Sequence, residues 1–204
     1  DPSDGGPAML RGTPWRDGDV LYNAVALLDH GEVETVRYKV DLPKSGPFDE
    51  KRVFAPGPLP GPINFRGVRI GVPICEDIWT EEVTECLVEC GAELLLVPNG
   101  SPFDWNKPDV RMNVAVARVK ETNLPLGYVN RLGGQDELVF DGGSFAFDHE
   151  GSLPARALEF DETSVFVDVP VPRFYLKRVL DPRGRLTDAM LPIVPVTATP
   201  VVHY

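Results

Sequence analysis

Residues 71–79 read Gly71-Val72-Pro73-Ile74-Cys75-Glu76-Asp77-Ile78-Trp79, and they place a cysteine at the abrupt end of an apolar strand over 68–74. Beyond Trp79, Thr80-Glu81-Glu82 reads as a helix start with acidic residues in its first turn, and Gly91 reads as its stop after Cys90. The order is strand, sharp turn bearing a thiol, helix. In that arrangement the backbone N–H groups after the cysteine, that of Glu76 first, can face a developing oxyanion, as acyl transfer through a thiolate requires. A free thiol has a pKa of about 8.5 and is mostly protonated at neutral pH, so attack needs a nearby base or cation. Taken alone, Cys75 reads equally well as a small buried hydrophobe.

Outward from this turn, strands alternate with helices. A short strand is predicted at 8–12, and strands at 21–29 and 33–40 flank the turn His30-Gly31-Glu32 as a hairpin. Pro43, Pro47, Pro56, Pro58, Pro60 and Pro62 exclude helix between 42 and 62 and predict a long stiffened loop. The stretch 56–62 reads as a rigid connector rather than a polyproline ligand. Downstream lie a strand at 93–97, a helix at 108–122 with Pro108 in its first turn, and a strand at 124–130. Val110, Val114 and Ala117 recur at helical spacing and predict that helix's core face. Strands at 139–140 and 144–148 surround Gly142-Gly143, and a strand at 164–169 closes the set. The alternation predicts an α/β layered fold without internal repeats. The tail carries Pro172, Pro182, Pro192, Pro195 and Pro200, so residues 1–169 read as one domain and 170–204 as a Pro-rich linker or surface extension.

Composition narrows the class. A chain of 204 residues, 43% hydrophobic and 25% charged, supports one domain with a real core. Its net charge of -11 argues against nucleic-acid or anionic-membrane partners, and no apolar run approaches the roughly 20 residues of a membrane span. Three cysteines with no signal-like start point to a reducing, cytoplasmic setting. Cys86 and Cys90 read as core residues, with no histidine near them in sequence to complete a metal site. The opening Asp1-Pro2 reads as a start partway into a longer chain.

Lys39 closes the strand at 33–40 and is followed by Asp41-Leu42-Pro43-Lys44-Ser45-Gly46-Pro47-Phe48-Asp49-Glu50. This block, the 71–79 block, and Val97-Pro98-Asn99-Gly100-Ser101-Pro102 running on to Gly133-Gly134-Gln135-Asp136-Glu137-Leu138-Val139-Phe140-Asp141-Gly142 carry a family resemblance. Together they resemble the carbon-nitrogen hydrolase (nitrilase) superfamily, and the third block looks like the glutaminase domain of glutamine-dependent NAD synthetases. The resemblance implies a four-layer α-β-β-α sandwich with the site at the strand ends. It implies Cys75 as the nucleophile that forms a thioester from the glutamine side-chain amide, Lys39 as the catalytic lysine, and Glu50 as the second glutamate that positions lysine and substrate. Ser101 and Lys107 match positions that hold the amino-acid end of glutamine, where a hydroxyl and a cation suit a carboxylate.

The family pattern also differs from this chain in two places. It has Asn-Tyr where Lys44-Ser45 stands, so Ser45 occupies the position of a substrate-contacting tyrosine. Its general base lies in a Pro-Glu segment of an N-terminal strand, and no such segment precedes Leu10. The expected function is ammonia supply for ATP-dependent NAD synthesis from deamido-NAD. A stand-alone cysteine amidase with altered substrate and a non-catalytic assembly domain remain as alternatives. No cofactor or metal is expected in this domain; ATP and Mg²⁺ belong, by the resemblance, to a separate synthetase domain of the parent chain, and the resemblance further implies a homo-oligomer.

Overall fold

The structure is a computed structural model that describes residues 6–43, 49–105, 107–171 and 197–198, with the backbone alone for 107–109 and 197–198. Strands β1 (Met9–Asp17), β2 (Val20–Asp29) and β3 (Glu32–Tyr38) form an antiparallel sheet in that order. The predicted hairpin is present: His30 and Gly31, at φ of 51° and 79°, make the left-handed turn between β2 and β3. The strand foreseen at 8–12 runs on to Asp17 because all nine residues of β1 pair with β2.

A second sheet holds β4 (Ile63–Phe65), β5 (Val68–Gly71), β6 (Leu94–Asn99), β7 (Leu126–Asn130), β10 (Phe145–Phe147), β11 (Ala155–Arg156) and β12 (Thr197–Ala198). Their order is β11-β10-β7-β6-β5-β4-β12, and β5, β6 and β7 are parallel. A separate hairpin of β8 (Leu132–Gln135) and β9 (Leu138–Asp141) is built from the glycine-rich block, with Asp136 at φ 51° in its turn. Helices α1 (Glu82–Glu89) and α2 (Lys107–Thr122) cover one face of the seven-stranded sheet. There Val83, Leu87, Ala115 and Val119 meet Leu95, Val97, Leu126 and Phe145. On its other face Ile63, Val72 and Ile74 pack against Val25 and Leu27 of β2. The described layers therefore run β-β-α, a nitrilase-like α/β arrangement in which no described helix supplies the second helical layer.

Several expectations need correction. The strand foreseen at 68–74 ends at Gly71, and no strand forms at 164–169. In the latter stretch Val165 and Val167 carry strand propensity, but β11 already closes that edge of the sheet and Phe166 stands 95% exposed. Among its described residues, the loop over 42–62 contains a 3₁₀ turn, Glu50–Arg52, between its prolines. Helix α2 is rotated from the predicted face: Val110 is exposed, and the buried positions are Arg111, Ala115, Arg118 and Val119. Burial of Arg111 explains the rotation. Its guanidinium makes a bidentate pair with fully buried Asp141, Nη1 to Oδ2 at 2.8 Å and Nη2 to Oδ1 at 2.9 Å, so the helix must turn this residue inward.

The described stretch 55–61 of the proline loop is pinned rather than loose. Ala55 N–H donates to the Leu21 carbonyl, Gly57 N–H to the Lys39 carbonyl, and Arg37 Nε to the Gly61 carbonyl at 2.7 Å. Gly57 is required by this approach, since a Cβ there would stand 2.5 Å from Tyr38 Cβ. Breaking the buried pair by Asp141→Asn should leave Arg111 an uncompensated buried cation and destabilise the fold by about 3–5 kcal/mol, measured by urea unfolding. A loss within about 1 kcal/mol, the value of an exposed pair, would contradict this.

Candidate active site

After β5 the chain continues extended through residues 72–74 and then reverses at Cys75, whose φ is +50°. A left-handed backbone at a residue with a Cβ costs about 1–3 kcal/mol and persists only where the surroundings enforce it. Here the following residues do so: Cys75–Ile78 close a 3₁₀ turn, with Asp77 N–H donating to the Ile74 carbonyl and Trp79 N–H to that of Glu76. The turn thrusts the thiol away from the strand line at the C-terminal end of a parallel strand, where open α/β sheets bind ligands. Cys75 is half-buried, unlike Cys86, which is wholly enclosed.

Lys39 follows β3 directly and is 1% exposed, the largest fully buried side chain described. Its Nζ pairs with Glu50 Oε1 at 2.7 Å, and Glu50 Oε2 accepts a hydrogen bond from Asn23 Nδ2 at 3.2 Å. A buried ammonium needs such a partner, because desolvation otherwise favours its loss of charge. The backbone of Lys39 is held as tightly, with its N–H on the Asn23 carbonyl and its carbonyl under the Gly57 N–H. A solvated strand-end lysine is thereby excluded.

Electrostatically, burial pushes the Cys75 thiol up; Lys39 and the Gly100 N–H pull it down, and Glu76 and Glu50 raise it slightly. Lys39 favours the thiolate, but desolvation is the larger effect, so attack requires that the thiol proton be taken up by a base. Asp77 is pushed up to about 6 by its burial, against hydrogen bonds from the backbone of Asp41, Ile74 and Val40.

The end of β6 supplies the facing wall. Ser101 is buried, and the Asn130 side chain grips its backbone from the end of β7: Ser101 N–H donates to Asn130 Oδ1 at 2.9 Å, and Asn130 Nδ2 donates to the Ser101 carbonyl at 3.2 Å. Arg111 Nη2 reaches the Pro102 carbonyl at 3.0 Å. Tyr128, stacked on Phe145 at 4.7 Å, hydrogen-bonds the Ser101 side chain, and burial raises its hydroxyl pKa. The structure thus brings together Cys75, Lys39, Glu50, Glu76 and Ser101. Ser45 and the side chain of Lys107 lie outside the described residues.

Asp77, Asn23, Asn130 and the Arg111–Asp141 pair were not foreseen from sequence. Asp77 and Asn23 had a usable signal, a polar residue inside an otherwise apolar stretch. Asn130, Arg111 and Asp141 meet only through tertiary contact. Among the described residues no group of three or more His, Cys, Asp or Glu is placed to hold a metal ion, and no helix is long and apolar enough to cross a membrane.

Comparison with known proteins adds independent findings. The carbon-nitrogen hydrolase family profile matches residues 3–178. The glutamine-dependent NAD(+) synthetase of Rhodobacter capsulatus is 44% identical over 164 residues, 80% of this chain and 30% of that protein. The solved glutamine-dependent NAD+ synthetase of Acinetobacter baumannii, in complex with ADP, superposes with a TM-score of 0.73 at 36% identity, covering 76% of this chain and 30% of its own. A mutant amidase from Nesterenkonia sp. AN1, carrying the acetamide moiety of fluoroacetamide on its active-site cysteine, superposes with a TM-score of 0.67 at 31% identity, covering 75% and 58%. The chain spans about 30% of the length of the curated relatives it matches.

Two outcomes follow from this geometry. Because φ at Cys75 is +50°, Cys75→Gly should be more stable than Cys75→Ala by about 1 kcal/mol in urea unfolding; equal stabilities would show an unstrained turn. Asp77 titrates at about 6 when folded against 3.8 as its unperturbed value, so its stabilising contribution is complete below about pH 4 and is lost as pH rises through about 6. Thermal unfolding should therefore show the stability of wild type relative to Asp77→Asn declining from about pH 4 to about pH 7, and a difference independent of pH would contradict the burial effect.

Proposed function

The chain belongs to the carbon-nitrogen hydrolase family, and from that premise we propose that it is a glutaminase module, hydrolysing the glutamine side-chain amide through a Cys75 thioester. The ammonia released would serve ATP-dependent NAD synthesis from deamido-NAD in a synthetase domain of the same protein, and ATP and Mg²⁺ would be handled there. The names of the relatives favour this substrate and this partner. The observation that carries the reading is the buried Lys39–Glu50 pair at 2.7 Å, whose charges act on a thiol presented by a left-handed turn.

In the proposed mechanism Cys75 Sγ attacks the amide carbon as its proton passes to a carboxylate. Among the described residues Glu50 is the one joined to Lys39, and the family's Pro-Glu segment would be a second. The carbonyl oxygen becomes an oxyanion, stabilised by the Lys39 ammonium and the Glu76 N–H. The C–N bond then breaks, the nitrogen leaves as ammonia with the proton that the carboxylic acid returns, and a γ-glutamyl thioester remains. Water attacks that thioester, the C–S bond breaks, and glutamate and the thiol are restored. Ser101 and Lys107 would hold the amino-acid end of glutamine, and Ser45 would stand at the position of the family's substrate-contacting tyrosine. A homo-oligomer in the cytoplasm is part of this proposal.

The stand-alone amidase reading rests on Lys44-Ser45 and on the likeness to the Nesterenkonia amidase. The two readings part on substrate. The intact protein should release ammonia from glutamine and much less from acetamide. Cys75→Ala should abolish release, and Lys39→Met should lower kcat by at least about 10²-fold, the loss expected for an oxyanion-stabilising donor. Preference for acetamide would favour the amidase, and undiminished release from Cys75→Ala would overturn both.

A further inference from the structure

The proposed chemistry gives no role to Asp77, a buried carboxylate next to the nucleophile turn. Asp77 has no exposed surface, and its carboxylate bridges two segments that are far apart in sequence. Oδ1 accepts the N–H groups of Val40 at 3.1 Å and Asp41 at 2.7 Å, while Oδ2 accepts that of Ile74 at 2.8 Å. Val40 follows Lys39, and Ile74 precedes Cys75. The donors are therefore the backbone neighbours of the two groups whose spacing the reaction depends on. A second link between the segments, Thr80 Oγ1 to Asp41 Oδ2 at 3.0 Å, lies at the surface.

We infer that Asp77 is a positioning residue, a buried clamp that holds the nucleophile turn against the end of the lysine segment and so sets the Cys75 thiol relative to the Lys39 ammonium. This rests on the roles given above to Cys75 and Lys39. A carboxylate suits the task because both oxygens are acceptors, one for each segment. An amide in its place would set an NH₂ donor against one of the N–H groups it replaces. The electrostatics agree: burial raises the Asp77 pKa to about 6, while the three backbone N–H groups it accepts favour its ionised form. Lys39 favours the ionised form of both Asp77 and Cys75, while Glu76 and Glu50 oppose the thiolate.

The test uses the intact protein as wild type, Asp77→Asn and Thr80→Val, reading iodoacetamide alkylation of Cys75 across pH together with steady-state glutamine hydrolysis. In Asp77→Asn the midpoint of Cys75 alkylation should move up by about one pH unit as the pull of Lys39 weakens. Its kcat should fall about 100-fold with KM nearly unchanged, as expected for a misplacement of about 1 Å. Thr80→Val should behave as wild type. A lowered Tm with wild-type midpoint and kcat would make Asp77 merely structural and overturn the inference. Should Asp77→Asn not fold, Asp77→Glu carries the test, keeping the charge while displacing the clamp: a raised Cys75 midpoint with lowered kcat is expected, and wild-type values of both would overturn the clamp. A shifted midpoint in a protein whose wild type releases no ammonia would leave the clamp standing and defeat the glutaminase reading instead.

Discussion

The constraint on which the site depends is the burial of one ammonium. Lys39 is 1% exposed, and a cation so enclosed is tolerable only with a counter-charge and a fixed backbone. Both are present, and each recruits another part of the chain. Glu50 reaches it from the 3₁₀ turn of the proline loop, Asn23 of β2 steadies Glu50, and Gly57 brings the following loop onto the Lys39 carbonyl. The loop that looks like a spacer in sequence is thus part of the binding of a single side chain. Its prolines limit the conformations lost when it is pinned there.

The second requirement is a thiol aimed at that cation. The parallel arrangement of β5, β6 and β7 sets three strand ends on one side of the sheet, carrying Cys75, Ser101 and Asn130 in turn. Each is stabilised by a different device. Cys75 stands on a left-handed turn closed by its own successors, and Ser101 is gripped at both backbone groups by the Asn130 amide. Beneath Ser101, the Arg111–Asp141 pair connects α2 to β9, so helix, loop and hairpin share one buried charge network. Networks of this kind are costly when incomplete and rigid when satisfied.

Much of this was legible in the sequence, and the limits are physical. The turn at Cys75, the hairpin around Gly31 and helix α1 follow from local signals: an apolar run ending abruptly, a glycine able to take positive φ, acidic residues at a helix start. Lys39 and Glu50 were legible through the family resemblance of the block that Lys39 opens. The face of α2 was misread because Val110 and Val114 carry the apolar periodicity while the tertiary pairing of Arg111 decides the rotation. The strand foreseen at 164–169 failed for a similar reason, since propensity cannot reveal whether a sheet edge is free. The electrostatic balance at the thiol was not legible, because a sequence displays charges but not desolvation, and at Cys75 desolvation prevails.

In the proposed reaction Cys75 becomes covalently acylated by glutamine beside Lys39. The most direct measurement is mass spectrometry of the intact protein quenched in acid during turnover with glutamine, followed by mapping of the peptide that contains Cys75. A γ-glutamyl adduct on Cys75 that accumulates within the first turnover, disappears when glutamine is exhausted and is absent from Cys75→Ser is the predicted result. Ammonia release at full rate with Cys75 unmodified throughout, or with the adduct on another residue, would contradict it.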